Sequence, residues 1–281
     1  MKRIFFITLL CSCIQVIYAQ TALDVIDDMF KTIDNVEAST FTLLMKERFG
    51  DKYIDTKSDI KIKHEPHSIY MKQYYPNDGI EILWSEGRNN SKVLINPNGF
   101  PYINISLSPY HSRMRKGNHH TIFTAGFKQP AVVLRHAIQK MSDAGVTDFE
   151  EYLDLENVNH QGIDCYKLTL EQADFAHENY TLKKDEYLRD IATRNQVSEH
   201  KIMELNDIRN YNKLKAGTSI RLPNFYAKTT IMYIDKNLML PIVQQIYDEK
   251  GLYEAYEFSN IVINPRFSDN EFTDDYKNYG F

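Results

Sequence analysis

The chain has little cysteine. Of three, Cys11 and Cys13 stand near the N-terminus, and Cys165 is the only one beyond them. One thiol excludes an internal disulfide framework. It sits in a strand-like stretch, 163–170, so a buried, inert thiol is expected. A secreted animal protein of this size usually carries bridges, so a bacterial periplasm suits the count better. Long apolar runs are also missing: the N-terminal one is too short and too broken to span a bilayer. Basic excess is missing. A formal net charge of −5 excludes a general nucleic-acid binder. Finally, there is no nucleophile elbow, P-loop, H-E-x-x-H or C-x-x-C. Acidic pairs such as Glu150-Glu151 are adjacent and do not converge on one substrate atom. Nothing demands an enzyme, and no cofactor or metal is expected.

What is present begins with an export signal. Lys2 and Arg3 form a basic start, residues 4–10 open an apolar run, and Ile17-Tyr18-Ala19 precede Gln20. This pattern predicts cleavage after Ala19 and a periplasmic protein. A lipid anchor at Cys13 is the less favoured alternative, because Cys11 is a poor residue two places before it. The roughly 260 residues that follow can bury one sizeable core and a small second one. The many Tyr and Phe residues favour pleated sheet.

Residues 21–37 read as an amphipathic helix, with Leu23, Ile26, Met29, Phe30 and Ile33 on one face. Strand-like segments follow at 40–49, 56–64, 67–73, 80–85 and 92–95, separated by turn residues. A helix is predicted at 127–144 and a strand pair within 157–170. Strands resume at 228–234, 242–248 and 252–261.

Between them, 180–223 read as a separate unit: strand, helix, helix, strand. Leu188, Ile191 and Ala192 mark the first helix; Ile202, Met203 and Leu205 mark the second, with Ser198 as N-cap. The unit is basic, about +3 by residue count. Its order and its anchors (Tyr180, Leu188, Ile191-Ala192, Val197-Ser198, Leu205-Asn206, Leu214, Gly217, Ile220 and Pro223) resemble the LysM module. That resemblance implies binding of N-acetylglucosamine-containing glycans such as peptidoglycan, through Tyr187, Arg209, Asn210 and Tyr211. Asp185-Glu186-Tyr187 replaces the module's usual Gly-Asp-Thr, so loss of φ > 0 freedom is expected in one wall of the groove. A degenerate, purely structural module is the alternative.

The remainder is similar to an uncharacterised family of bacterial envelope proteins, a domain of unknown function with a LolA-like lipoprotein-carrier fold. The resemblance is carried by residues 96–101 (Asn-Pro-Asn-Gly-Phe-Pro), Met114-Arg115-Lys116, Asn118-His119-His120-Thr121-Ile122, the D-x-x-x-x-L-P-I run from Asp235, and 264–281. It implies an α+β fold: a curved antiparallel half-barrel sheet with helices on its concave face, interrupted by the inserted βααβ module. The expected division is 1–19 signal, 20–175 first part of the main domain, 176–226 insert, and 227–281 last strands and tail.

Two further groups are candidate sites. Tyr70, Tyr74, Tyr75, Trp84, Phe100, Tyr102 and Phe123 would line an apolar cavity, or form ordinary core. Arg113, Arg115, Lys116, His119 and His120 would bind an anionic head group; a metal site or a solvated loop are the alternatives. The expected function is an exported envelope binding protein. It would hold a lipid or lipid-linked ligand and dock weakly on peptidoglycan. The alternative is a structural or assembly factor that binds a protein partner. N-terminal sequencing of envelope material should give a chain starting at Gln20; an acylated Cys13 would contradict this.

Overall fold

The computed structural model describes residues 20–100, 102–209 and 214–281. The expected export signal and cleavage point, Cys13, Pro101, Asn210 and Tyr211 lie outside the described residues. Helix α1 (Ala22–Asp34) begins at a reciprocal cap: Thr21 Oγ accepts the Asp24 N–H, and the Asp24 carboxylate accepts the Thr21 N–H. Its Val25, Ile26, Met29 and Ile33 are buried. The spacing puts all four on one stripe, which must pack on something apolar.

That surface is an eleven-stranded antiparallel sheet. Strands β1 (Ala38–Phe49), β2 (Lys52–His64), β3 (His67–Tyr75), β4 (Glu81–Ser85), β5 (Val93–Asn96) and β6 (Ile105–Leu107) form a meander. After the one-turn helix α2 (Ser112–Arg115) and helix α3 (Lys128–Asp143) come β7 (Leu153–His160) and β8 (Ile163–Glu171). The insert holds β9 (His177–Thr181), α4 (Leu188–Asn195), α5 (Glu199–Leu205) and β10 (Ser219–Pro223). β11 (Thr229–Asp235), β12 (Leu240–Asp248) and β13 (Gly251–Ile263) complete the strands among the described residues. The spatial order is β6-β5-β4-β3-β2-β1-β13-β12-β11-β8-β7. First and last strands meet at the centre, and the curved sheet is not closed. α1 and α3 cover its concave face, where Phe41, Ile60, Ile62, Leu134, Met141 and Phe258 share one core. Gly126, at φ +91, carries the chain into α3; a Cβ there would stand 3.1 Å from Ile62 Cδ1. Cys165 is buried and free, and burial pushes its thiol up.

The tail after β13 covers part of the opposite face. Phe267, Phe272, Tyr279 and Phe281 pack with Tyr70 and Leu83, and the Tyr279 ring stacks on Tyr70 at 3.6 Å. Lys61 pairs with Glu271 beside them.

β8 and β11 are hydrogen-bonded neighbours, so the insert leaves and re-enters the sheet at one place. Asn224 clasps its stem: Oδ1 accepts the Ala176 N–H and Nδ2 donates to the Asp174 carbonyl. The insert has its own core of Leu188, Ile191, Ile202, Ile220 and Leu222. It is also docked on the sheet by buried charge. Lys201 of α5, 1% exposed, donates to Asp248 at 2.6 Å and to Glu249 at 2.9 Å. Asp248 also accepts from Arg48 of β1. Burial alone would push the Asp248 carboxyl up; Arg48 and Lys201 outweigh it and hold it below the usual range. Arg115 donates to Glu199 at 2.8 Å, and the Tyr253 hydroxyl lies 3.0 Å from Ser198 Oγ. Removing one member of a buried ion pair leaves the other's charge uncompensated. Lys201→Ala is therefore expected to cost about 3–5 kcal/mol in urea unfolding. A loss near zero would mean that the docking contact contributes no stability.

Candidate functional site

Strand register builds the site from below. Glu47 of β1 stands opposite Glu254 of β13, which stands opposite Ile246 of β12 and then Thr230 of β11. The adjacent row is Met45, Tyr256, Gln244 and Met232. Side chains two apart along a strand share a face, so both rows point the same way. With α3 and the 114–126 segment they enclose a partly open cavity of about 160 Å³. Leu43, Ile60, Met71, Leu134 and Phe258 continue its apolar wall, and the described lining contains no Lys or Arg.

One end of the cavity is polar. Two carboxylates directly opposite on neighbouring strands repel each other, and Glu47 and Glu254 are 3% and 1% exposed. His119 resolves the conflict. Its backbone N–H donates to Glu47 Oε2 at 2.9 Å; its ring Nδ1 lies 2.7 Å from Glu254 Oε1 and Nε2 lies 2.8 Å from the Arg48 carbonyl. A neutral imidazole has one N–H, so donation to both acceptors requires the doubly protonated ring. Tyr256 donates to Glu47 Oε1 at 2.9 Å, and Tyr226 donates to Glu254 Oε2 at 2.8 Å. His120 Nε2, 3.2 Å from Glu254 Oε1, completes the set.

The electrostatics follow. Burial pushes the Glu254 carboxyl up, but His120 and His119 outweigh it and hold it far below the usual carboxylate range. Burial pushes His120 down, and Glu254 reverses this, so its value is raised. Burial raises Tyr226 and Tyr256 well above the ordinary phenol, keeping both as donors. His200 of the insert stacks on His119 at 4.0 Å and is pushed down to about 3, first by burial and then by His119. Donor atoms of Glu47, His120 and Glu254 lie within 4.8 Å of one another, a separation a cation can bridge after contraction. Each of these carboxylate oxygens already accepts a protein N–H or O–H.

The expected anion loop is divided by this arrangement. Arg113 and Lys116 are exposed, whereas Arg115 is paired with Glu199 and His119 is buried against Glu254. Only His120 of the five lines the cavity. The expected cavity aromatics also lie elsewhere, for reasons of parity and exposure. Tyr70 faces the tail. Tyr74 is 40% exposed, its hydroxyl donating to Asp59, and Tyr75 is also exposed. Trp84 and Phe123 pack edge-on against each other, and Phe100 and Tyr102 are 92% and 75% exposed. Glu47, Glu254, Tyr226, Tyr256 and Gln244 were not expected. For Glu47, Glu254, Tyr256 and Gln244 the signal was a polar group at an inward strand position, as in Leu43, Met45, Glu47; Tyr226 lies between β10 and β11 and had no such signal.

In the insert, Asp185 takes φ +66 in the position where loss of left-handed freedom was expected; Asp tolerates that conformation better than most residues. Glu186 closes the loop, accepting from the Lys183 N–H at 2.8 Å, Tyr180 and Arg194, which together hold its carboxyl down. Tyr187 is 38% exposed with Arg189 over its ring, and Arg209 is exposed.

Residues 36–198 match a family described as "Protein of unknown function (DUF1571)", and 180–223 match the LysM domain. No curated protein matches the chain. Similar solved structures include an uncharacterized conserved protein from Thermus thermophilus, with 10% identity, TM-score 0.40, and 92% of this chain and 97% of that one covered. The lipoprotein LppX of Mycobacterium tuberculosis gives 10%, 0.39, 88% and 98%. A LolA superfamily protein from Nitrosomonas europaea gives 12%, 0.32, 92% and 99%. Among the described residues no helix is long and apolar enough to cross a membrane.

His200 makes stability acid-sensitive with a defined sign. The unfolded chain takes its proton near 6.5 and the folded protein only near 3. Its contribution is present above pH 6.5 and is lost as pH falls towards 3. Glu254 acts with the same sign in stronger acid; His120, raised, acts oppositely as pH rises. His200→Phe keeps the stack and removes the proton site. Urea unfolding across this range should show a shallower acid decline for the variant; an unchanged slope would contradict the assignment.

Proposed function

The chain belongs to the DUF1571 family of proteins of unknown function, and we propose that this member is a non-enzymatic binding protein of the cell envelope. Its cavity holds an acyl chain or another lipidic group, and its insert docks on N-acetylglucosamine-containing glycan. The observation that carries this reading is the cavity itself: an apolar, helix-roofed space on the concave face with a single buried polar end. Ligand sites have this character, apolar walls with a few placed polar groups. An ordinary core would be filled to close packing.

The glycan half rests on the LysM match and on the insert's first loop. Asp185 supplies the left-handed turn, and Tyr187 presents a half-open ring beside it. Exposed aromatics suit the apolar faces of a sugar ring. Binding by one module is expected to be weak, because association costs several kcal/mol before any gain. In this reading Arg115 and His119 organise the fold and are not head-group ligands. A protein-binding role is the second reading, favoured by Phe100, Tyr102 and Ile103, all strongly exposed just before the edge strand β6.

Two measurements test the proposal. Native mass spectrometry of protein purified from envelope material should find a bound lipid that organic solvent extracts. An empty cavity with a stoichiometric protein partner would favour the second reading. Retention on purified sacculi should fall several-fold in Tyr187→Ala, and equal retention would remove the groove assignment.

A further inference from the structure

We propose that Gln244 is the hydrogen-bonding hook for an uncharged carbonyl group, so that the cavity takes neutral acyl compounds, esters or amides, in preference to free carboxylates. This rests on reading the cavity as a ligand site. Gln244 is 2% exposed, lines the cavity, and its Nε2 has no hydrogen-bond partner. It is held in the floor by its strand: β12 pairs on both sides, with Met232 and Tyr256 as the flanking residues. Buried amide donors in folded proteins are almost always paired, and one left unpaired carries a desolvation cost. An apolar residue would fill this position without that cost. The amide presents a donor and an acceptor whichever way it is turned. A carbonyl oxygen is a matching acceptor, and it replaces a water there with no loss of hydrogen bonding.

The polar end decides the charge of the ligand. Gln244 is one row from Glu254 and Glu47, and the described lining has two carboxylates and no Lys or Arg. Of the nearby imidazole nitrogens, both of His119 face Glu254 and the Arg48 carbonyl, and His120 Nε2 faces Glu254 and Tyr226. An added carboxylate would give up its hydration beside Glu47 and Glu254 and meet no Lys or Arg in the described lining. An ester or amide carbonyl gains the Gln244 bond without that desolvation cost.

The test uses the whole chain and three probes of equal length: a medium-chain fatty-acid methyl ester, the free acid and the parent hydrocarbon. Each displaces a fluorescent apolar dye from wild type and from Gln244→Leu at neutral pH. Wild type should prefer the ester to the acid. The variant should lose about tenfold in ester affinity, the net worth of one hydrogen bond, and hold the hydrocarbon within about twofold. Its melting temperature should equal or exceed that of wild type, because the orphan donor is gone. Equal ester affinity in both proteins, or an acid bound as tightly as the ester, would overturn the inference while leaving the cavity reading intact. If wild type binds none of the three, the cavity reading fails and the inference with it.

Discussion

Two carboxylates face each other across adjacent strands in the middle of the sheet, and much of the molecule is arranged around that fact. Glu47 and Glu254 are nearly inaccessible, and like charges in that register destabilise a sheet. His119 is what makes the pair tolerable. It gives a backbone N–H to one carboxylate and a ring N–H to the other. Tyr226, Tyr256 and His120 supply the remaining donors. Half-satisfied buried networks are costly and complete ones rigidify. This one is complete at the carboxylates, and it fixes the polar end of the cavity.

The same histidine joins the insert to the sheet. Its ring is stacked by His200 on one side and lies at 4.5 Å from Tyr253, whose hydroxyl reaches back to Ser198. Arg115–Glu199 and Lys201–Asp248 flank that contact. The LysM module is thus not tethered by a loose linker. It sits on the β-strands that end at the cavity, so its α5 and the polar end of the cavity form one packed unit.

Much of the fold was legible because periodicity and turn residues report local structure directly. The α1 stripe, the Ser198 cap of α5 and the paired strands around Asp235-Lys236-Asn237 all stand near their expected positions. The three-residue β6 and one-turn α2 escaped notice because such short elements leave no period. The site was far less legible. The loop 111–120 looks like one cationic patch in sequence, yet alternate residues turn to different partners. Which of them is buried depends on Glu47, Glu199 and Glu254, up to 135 residues away. Tyr70 missed the cavity for a related reason: composition says that rings will pack, but strand parity decides on which face. Tyr70 and Met71 are neighbours in sequence and lie on opposite sides of the sheet.

The central claim is that the His119 ring, set between the Glu254 carboxylate and the Arg48 carbonyl, makes the opposed carboxylates tolerable. Urea unfolding of a double-mutant cycle measures it directly. His119→Phe keeps an aromatic ring against His200 and removes both ring nitrogens, and it should cost about 3 kcal/mol, with a clearly smaller cost when Glu254→Gln has already removed the carboxylate charge. A His119→Phe cost near zero, or one that Glu254→Gln leaves unchanged, would contradict the account.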